Sequence, residues 1–493
     1  MKRGIKRLVI VSNRLPLVLV KSGKKWIMQP GSGGLVTALA PVLRYRGGLW
    51  IGWPGIQATG DLSKPIEAAA KDLGYAMIPI TLSEKEVKDY YMGMSNEILW
   101  PLFHDLQSYT NFEPHYWNSY REVNRRFAET IHENSSADDF IWIHDYHLIN
   151  VAQELRGLGV RSKIGFFLHV PFPPLDIFVK LPWRTEIIAA LCEYNLIGFQ
   201  TMRDRRNFLQ CLRALRHEVS IQGKGQVITV ILGDREVRIG SFPISIDFND
   251  FAQRAASKEI ADSAWYIHED LPTSKIVLGI DRLDYTKGIP YRLKAFRTFL
   301  MRHPELHRKI TLIQVVVPSR RKIPMYRDLK EEIDRLVSEV NGEFTRSGWV
   351  PIHYIYRALD RRELLGYYRT AEIALITPLK DGMNLVAKEY CATNIEESGV
   401  LILSEFAGAV AQLQRSALLV NPYNIEEVAD AIYQAYTMDI HERKLRMKKL
   451  RQGIRRYDIY WWVNSYLEAA ISGTLDNFPL LEEFIPWIDD SKS

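Results

Sequence analysis

The chain has 493 residues, 47% of them hydrophobic and 25% charged, with a formal net charge of +6; this is an ordinary globular composition, too long for one core, so two domains or more are expected. The mild positive surplus favours anionic ligands but lacks the one-faced basic concentration of a nucleic-acid binder, and no apolar run approaches the ~20 residues that cross a bilayer. Three widely spaced cysteines, Cys192, Cys211 and Cys391, form neither a metal clip nor a disulfide framework, so a reducing cytoplasm is the expected compartment.

Leu8-Val9-Ile10-Val11 reads as a first strand, its apolar run too short for a signal peptide, and Ser12-Asn13-Arg14 leaves its carboxyl end with Arg14 at the tip. Gly33-Gly34 then opens a helix through Leu35, Ala38 and Leu39. Glycines there let backbone amides approach phosphate oxygens or simply make a flexible loop, and the spacing is not the dinucleotide fingerprint. Residues 47–53 read as a second buried strand. The aromatic stretch 90–100 and the helix expected around 116–131 put rings beside polar groups, which suits the apolar face of a sugar and equally a core.

Phe140-Ile141-Trp142-Ile143 is another strand, tipped by His144-Asp145-Tyr146-His147, and residues 163–168 repeat the pattern with His169 at the tip. Imidazoles and a carboxylate could ligate a metal, but polar residues at parallel-strand tips are where open α/β sheets place substrate contacts, and no metal is expected. The first βα block closes near Ile244.

A second block starts with Ile276-Val277-Leu278-Gly279-Ile280, followed by Asp281-Arg282-Leu283-Asp284-Tyr285-Thr286-Lys287-Gly288. Arg282 and Lys287, five residues apart around a turn, suit a pyrophosphate or a salt-bridged surface. Strands are expected at 311–317, ahead of Arg320, and at 353–356. Ile373-Ala374-Leu375-Ile376 then stops at Pro378, and Gly382 permits a turn into a helix starting near Asn384. Such a helix start is an anion site, with Asp381 in the loop and Glu389 two turns further on. Near the end, the basic run 441–456 reads as a solvated helix with Leu445 and Leu450 inward. The aromatic segment around Tyr460-Trp461-Trp462-Val463 is expected to pack on a neighbouring domain.

Two successive βα blocks predict an α/β chain of two doubly wound Rossmann-like domains facing across a cleft, one over 1–244 and one over 245–455, with a tail over 456–493 packing back on the first. The motifs Ser12-Asn13-Arg14, Gly33-Gly34-Leu35, residues 91–100, His144-Asp145-Tyr146-His147, residues 166–173, Arg282-Leu283-Asp284-Tyr285 with Lys287-Gly288, and residues 381–390 occur in one order. In that order the chain resembles the trehalose-6-phosphate synthases, retaining glycosyltransferases of the two-Rossmann (GT-B) type, glycosyltransferase family 20. The resemblance runs from Val11 to about Ile432, and it implies that the domain over 1–244 binds the acceptor and the domain over 245–455 the nucleotide sugar.

The resemblance implies a glucosyltransferase that uses a nucleotide sugar, UDP-glucose above all, as substrate rather than cofactor and glucose 6-phosphate as acceptor. It implies that Arg282 and Lys287 hold the diphosphate, with Gly33 and Gly34 touching it, and that Leu385, Val386, Ala387, Lys388 and Glu389 bind the nucleotide sugar. Leu359 would lie near the base, and Asp381 and His169 would contact the donor glucose. Arg14, Tyr91, Asp145 and Arg320 would bind the acceptor, with Trp100 and Val170 shaping its pocket. In the mechanism implied for the family, the departing diphosphate takes the acceptor proton on the face where the new bond forms. No metal, membrane or nucleic acid takes part, a separate phosphatase would act on the product, and a homo-oligomer is compatible with the reading. Two features depart from the pattern: the lysine-bearing segment between Arg14 and Gly33, with Lys21, Lys24, Lys25 and Trp26, and Ala411-Gln412-Leu413 in place of Asn-Glu-Leu. A different phosphorylated acceptor, such as glycerol 3-phosphate, and a catalytically silent sugar-phosphate sensor are the competing readings.

Overall fold

The computed structural model describes residues 7–22, 25–30, 34–56, 66, 70, 73–216, 218–271, 275–320, 323–471 and 483–484. The chain separates into two units, one reaching Ile244 and resuming at Tyr460, the other spanning Ser245–Ile459. Among the described residues no helix is long and apolar enough to cross a membrane.

The first unit contains β1 (Leu8–Arg14), β2 (Leu17–Ser22), β3 (Lys25–Pro30), β4 (Leu49–Trp53), β5 (Ala76–Pro79) and β6 (Phe140–His144). It continues with β7 (Ile164–Phe167), β8 (Leu196–Phe199), β9 (Val219–Gln222), β10 (Val227–Leu232) and β11 (Arg235–Ser241). Nine of these form one sheet in the order β5-β4-β1-β6-β7-β8-β11-β10-β9. Its strands are parallel from β5 to β11, and β10 and β9 add antiparallel pairs at the edge. Val9, Ile10, Val11, Ile141, Trp142 and Ile143 are buried, as continuous apolar runs must be when helices cover both faces of a parallel sheet. The chain starts in the middle of this sheet, builds outward through β4 and β5, then crosses back to β6. The direction of winding therefore reverses between β1 and β6, where Ser12 lies in register with His144. The lysine-bearing segment forms the separate antiparallel ribbon of β2 and β3, register Leu17 to Pro30 through Ser22 to Lys25.

The second unit contains β12 (Lys275–Arg282), β13 (Ile310–Val317), β14 (Ile352–Ile355), β15 (Ile373–Ile376), β16 (Val400–Ser404) and β17 (Leu418–Val420). They are ordered β14-β13-β12-β15-β16-β17 and all pairs are parallel. Counted within the unit, this is the 3-2-1-4-5-6 order of the doubly wound dinucleotide-type sheet, whose crevice opens at the reversal between the first and fourth strands. Here those strands are β12 and β15.

The basic run forms the helix Ile440–Arg456, whose buried residues are Arg443, Met447, Leu450 and Ile454. Leu450 is inward as expected, but Leu445 is 55% exposed, because the 3.6-residue period pairs Leu450 with Met447 and not with Leu445. The helix Ile459–Ile471 lies on the first unit's sheet. Tyr466 stacks on Trp142 at 4.3 Å between ring centroids and donates its hydroxyl to the carbonyls of Phe166 and Leu196. A Cβ on Gly165 would stand 2.5 Å from the Tyr466 hydroxyl and one on Gly198 2.8 Å from its ring; two strand glycines thus make the notch that this ring fills.

Candidate active site

In the second unit the loops after β12 and β15 meet. Gly288 adopts φ +65°, and a Cβ there would stand 2.5 Å from the Thr377 carbonyl oxygen, so only glycine lets the turn close this tightly. Leu379 donates its amide to the Thr286 carbonyl at 2.8 Å. The result is that Lys287 Nζ reaches 2.6 Å from Asp381 Oδ2. Asn384, at φ +75°, caps the helix Leu385–Thr393 by accepting from the Ala387 amide, and its Nδ2 donates to Asp381 Oδ2 at 3.2 Å. Asparagine is among the few non-glycine residues that tolerate this left-handed conformation. The same loop is clamped from β16: Gly408 donates to the Asp381 carbonyl and Ala409 to the Met383 carbonyl. A Cβ on Gly408 would stand 1.8 Å from the Gly382 oxygen.

Cations converge on this turn. Asp284 is buried; its Oδ1 accepts from Thr286 N at 3.0 Å and Oγ1 at 2.9 Å, and its Oδ2 accepts from Tyr326 and Arg320. Burial would raise its pKa, but Arg320, Lys287 and Arg282 outweigh that and hold it below the usual carboxylate value. Arg282 itself is exposed at the end of β12. Beneath the loops, the buried Arg292 donates to Asp281 at 2.6 Å, to Thr377 Oγ1 at 3.1 Å and to Gln314 at 3.3 Å, tying the ends of β12 and β15 to the middle of β13.

The helix Leu385–Thr393 presents Leu385 and Val386 in its first turn, where amides point away from the helix. Lys388 does not point the same way: it is buried, donates Nζ to Gln412 Oε1 at 2.6 Å, and burial lowers its pKa to about 7. Glu389 accepts from the Tyr368 hydroxyl at 2.9 Å; burial raises its pKa despite that bond and the nearby Arg361. Leu359 is part-exposed in the loop ahead of the helix Arg361–Thr370, which a capping box of Asp360 and Glu363 starts.

In the first unit a second constellation stands at the carboxyl ends of β1, β6 and β7. The Arg14 guanidinium lies over the Trp53 ring at 4.1 Å and the Tyr91 ring at 5.3 Å. Gly55, at φ +86°, lets it settle, since a Cβ there would be 1.5 Å from Arg14 Nη1. Tyr91 also stacks on His147 at 6.0 Å. It is carried by a 13-residue π-helix, Val87–Leu99, a wide-turned form that is rare and frequent at functional sites. Tyr90 in that helix donates to Asn13 at 2.9 Å, tying it to β1. Trp100 follows, buried against His104 and Tyr146 at 4.2 and 5.8 Å. Asp145 adopts φ +76° and accepts the His169 amide at 3.2 Å. His169 Nε2 lies 3.1 Å from His144 Nδ1, and Val170 is buried beyond it. Gly34 begins the helix Gly34–Arg46, whereas Gly33 lies outside the described residues.

The family model "Glycosyltransferase family 20" matches residues 6–471. The chain belongs to this family. Within family 20 it is similar to the trehalose-6-phosphate synthase of Mycolicibacterium gilvum, 41% identical over 472 residues that cover 94% of this chain and 93% of that protein. Among solved structures it is similar to an α,α-trehalose-phosphate synthase (UDP-forming) of Burkholderia xenovorans in complex with glucose 6-phosphate. The TM-score is 0.85 at 32% identity, covering 94% of this chain and 100% of that one. An Escherichia coli trehalose-6-phosphate structure bound with UDP-2-fluoro glucose gives a TM-score of 0.84 at 35% identity, covering 94% and 99%.

The family-20 fold therefore has two Rossmann-like domains, as the alternating βα blocks predict. The sequence alone marks a helix start near Asn384 but assigns no role to the side chain of Asn384, to Gly408 or to Arg292. The first two carried a signal, since Asn before an apolar helix start and Gly inside Ala-Gly-Ala are cap and close-approach residues. Arg292 carried none, because an arginine within a helix is ordinarily solvated.

Proposed function

We propose that the chain is a retaining glucosyltransferase that moves glucose from UDP-glucose to glucose 6-phosphate, giving α,α-trehalose 6-phosphate and UDP. The observation that carries this reading is the meeting of Lys287 and Asp381 at the head of the helix Leu385–Thr393, with Arg282 and Arg320 near enough to the same turn to hold down the pKa of Asp284. A cationic turn against a helix N-terminus at a doubly wound switch point suits a diphosphate. The ligands named for the Burkholderia and Escherichia relatives support the choice of acceptor and donor.

In this reading Arg282 and Lys287 carry the charge that grows on the diphosphate, with Gly33, Gly34 and the amides of Leu385 and Val386 serving the phosphates, while Ala387, whose amide is taken by the Asn384 cap, lines the nucleotide-sugar site. Glu389, oriented by Tyr368, takes the ribose hydroxyls, and Leu359 lies on the base side. Lys388 acts from within, holding the helix to Gln412. Asp381 and His169 contact the donor glucose. Arg14, Tyr91 and Arg320 hold the acceptor phosphate, Asp145 its hydroxyls, and Trp100 and Val170 wall its pocket.

The bond from the glucose anomeric carbon to the diphosphate breaks as the acceptor hydroxyl attacks the same face, and the departing diphosphate oxygen takes the hydroxyl proton. Fixed cations at the leaving group supply electrostatic stabilisation. A double displacement would need a free carboxylate under the anomeric carbon, and Asp381 is instead held by Lys287 and Asn384. The reaction so written uses no cofactor and leaves the phosphate on the product for a separate phosphatase. The three buried free thiols suit a cytoplasmic setting.

The test is product mass and NMR with UDP-, ADP- and GDP-glucose, each offered with glucose 6-phosphate and with glycerol 3-phosphate. A 1,1-linked disaccharide phosphate with both anomeric centres α, formed fastest from UDP-glucose, is expected. A glucosylglycerol phosphate as the main product, or donor binding without turnover for any acceptor, would overturn the assignment.

A further inference from the structure

The histidines at the tips of β6 and β7 form a pair of which the reaction as written uses only one member. His144 is buried, its Nδ1 lies 3.1 Å from Nε2 of His169, and its own Nε2 is buried without a hydrogen-bond partner. The surroundings of the pair are largely aromatic: Trp142 and Phe167 flank His144 at 4.7 and 6.5 Å, and Phe167 and Trp462 flank His169 at 4.7 and 6.2 Å. Burial accordingly depresses both pKa values, that of His169 to about 3 and that of His144 well below its ordinary value, with His169 beside it adding to the effect. At neutral pH the two rings are uncharged, and one proton lies in the contact between them.

That proton has two homes. If His169 donated from Nε2, His144 would accept at Nδ1 and carry its own proton on Nε2, burying an N–H with no acceptor. If His144 donates from Nδ1, the orphan is only a lone pair on Nε2. Buried N–H groups without acceptors are rarer than under-satisfied acceptors, which favours the second arrangement. It leaves His169 with its proton on Nδ1, since a neutral imidazole carries one N–H. The backbone of His169 is pinned independently, by donation of its amide to Asp145 Oδ1.

We infer that His144 is a positioning residue which, by donating from Nδ1 to His169 Nε2, fixes His169 as the tautomer that presents Nδ1–H to a sugar oxygen. This rests on the reading of His169 as a substrate contact. A donor whose tautomer is set before substrate arrives needs no reorganisation during transfer.

The experiment combines nitrogen NMR of the full chain labelled with 15N-histidine and steady-state kinetics of His144→Phe and His144→Asn. The His169 signal is assigned by its loss in His169→Ala, and its two nitrogen shifts report which one carries the proton. The expected result is Nδ1–H in the unmodified chain and a mixed or switched tautomer in His144→Phe. That variant should lose about 10- to 100-fold in kcat, the size of loss seen when the group orienting a metal-bound histidine is removed, with KM for glucose 6-phosphate unchanged. His144→Asn, whose amide can donate from the same branch, should restore most of the loss. A proton on Nε2 of His169 in the unmodified chain overturns the inference, as does His144→Phe with full kcat. If His144→Phe fails to fold, the unmodified spectrum still decides. If His169→Ala itself turns over normally, it is the substrate-contact reading that fails, and the spectrum judges the tautomer separately.

Discussion

Lys287 and Asp381 stand 94 residues apart in the chain and 2.6 Å apart in space. Their side chains are 10% and 15% exposed, so the pair is shielded enough for its charges to matter and open enough for a ligand to reach it. It forms because β12 and β15 are neighbours at the reversal of the second sheet, which puts their following loops side by side.

Replacement of Lys287 by alanine should lower kcat by about 10²- to 10³-fold, the usual effect of losing one group that stabilises transition-state charge. Circular dichroism should show the fold intact, because Asp381 keeps Asn384 and the Met383 amide as partners. Turnover at the unmodified rate would remove Lys287 from the proposed chemistry.

Arg292 makes a stability prediction separate from catalysis. Arg292→Ala would leave Asp281 buried with its nearest cation gone, and breaking a buried pair from one side costs about 3–5 kcal/mol. Urea unfolding should show that loss at an unchanged slope. A loss below about 1 kcal/mol would mean that Asp281 finds another partner or a proton.

Asp145 sits at φ +76° and ψ +164°, a region open almost solely to glycine and worth about 1–3 kcal/mol of strain. Asp145→Gly relieves the strain and gives up the contact with the His169 amide, so the melting temperature should stay level or rise while turnover with glucose 6-phosphate collapses. A clear fall in melting temperature would show that the carboxylate contact outweighs the strain.

Lys388 predicts a pH dependence. Its folded pKa of about 7 lies below the ordinary value of 10.5, so between those values the unfolded chain binds the extra proton and stability rises with pH. Below about 7 the lysine is charged in both states and the penalty is complete. Cys192, Cys211 and Cys391 titrate in the opposite sense above 9, burial having pushed their thiols up to about 11, 12 and 12. The rise should therefore show between about pH 7 and 9 in thermal melts, and Gln412→Glu, which gives Lys388 a carboxylate, should flatten it. An unmodified slope in Gln412→Glu would sink the assignment.

Much of this molecule was legible in the order of its residues. Apolar runs of strand length ending in polar tips placed Arg14, Asp145, His169, Arg282 and Asp381 at carboxyl ends of strands, because alternating βα blocks admit few other arrangements. The ordered motifs also led to the family. The helix start at Asn384 was legible from Gly382 and the apolar run that follows. These are local properties, set by backbone sterics and by periods of two or 3.6 residues, and a sequence states them directly.

The tertiary structure decided which of those residues meet. Nothing near Lys287 in the chain names Asp381 as its partner, and nothing near Arg292 says that it will be buried against three strands. Lys388, read as part of a binding motif, turned inward to Gln412 because its position on the helix faces the core. Leu445 and the π-helix carrying Tyr91 show the same limit, since a residue's face and a helix's winding follow from what packs against them. The aromatic final helix was recognisable as something that needed covering, but the notch of Gly165 and Gly198 that receives Tyr466 exists only once β7 and β8 pair. Such contacts depend on strand order and on side chains brought together by the whole chain's packing. Their free energy belongs to pairs of residues far apart in sequence, so no local pattern records it.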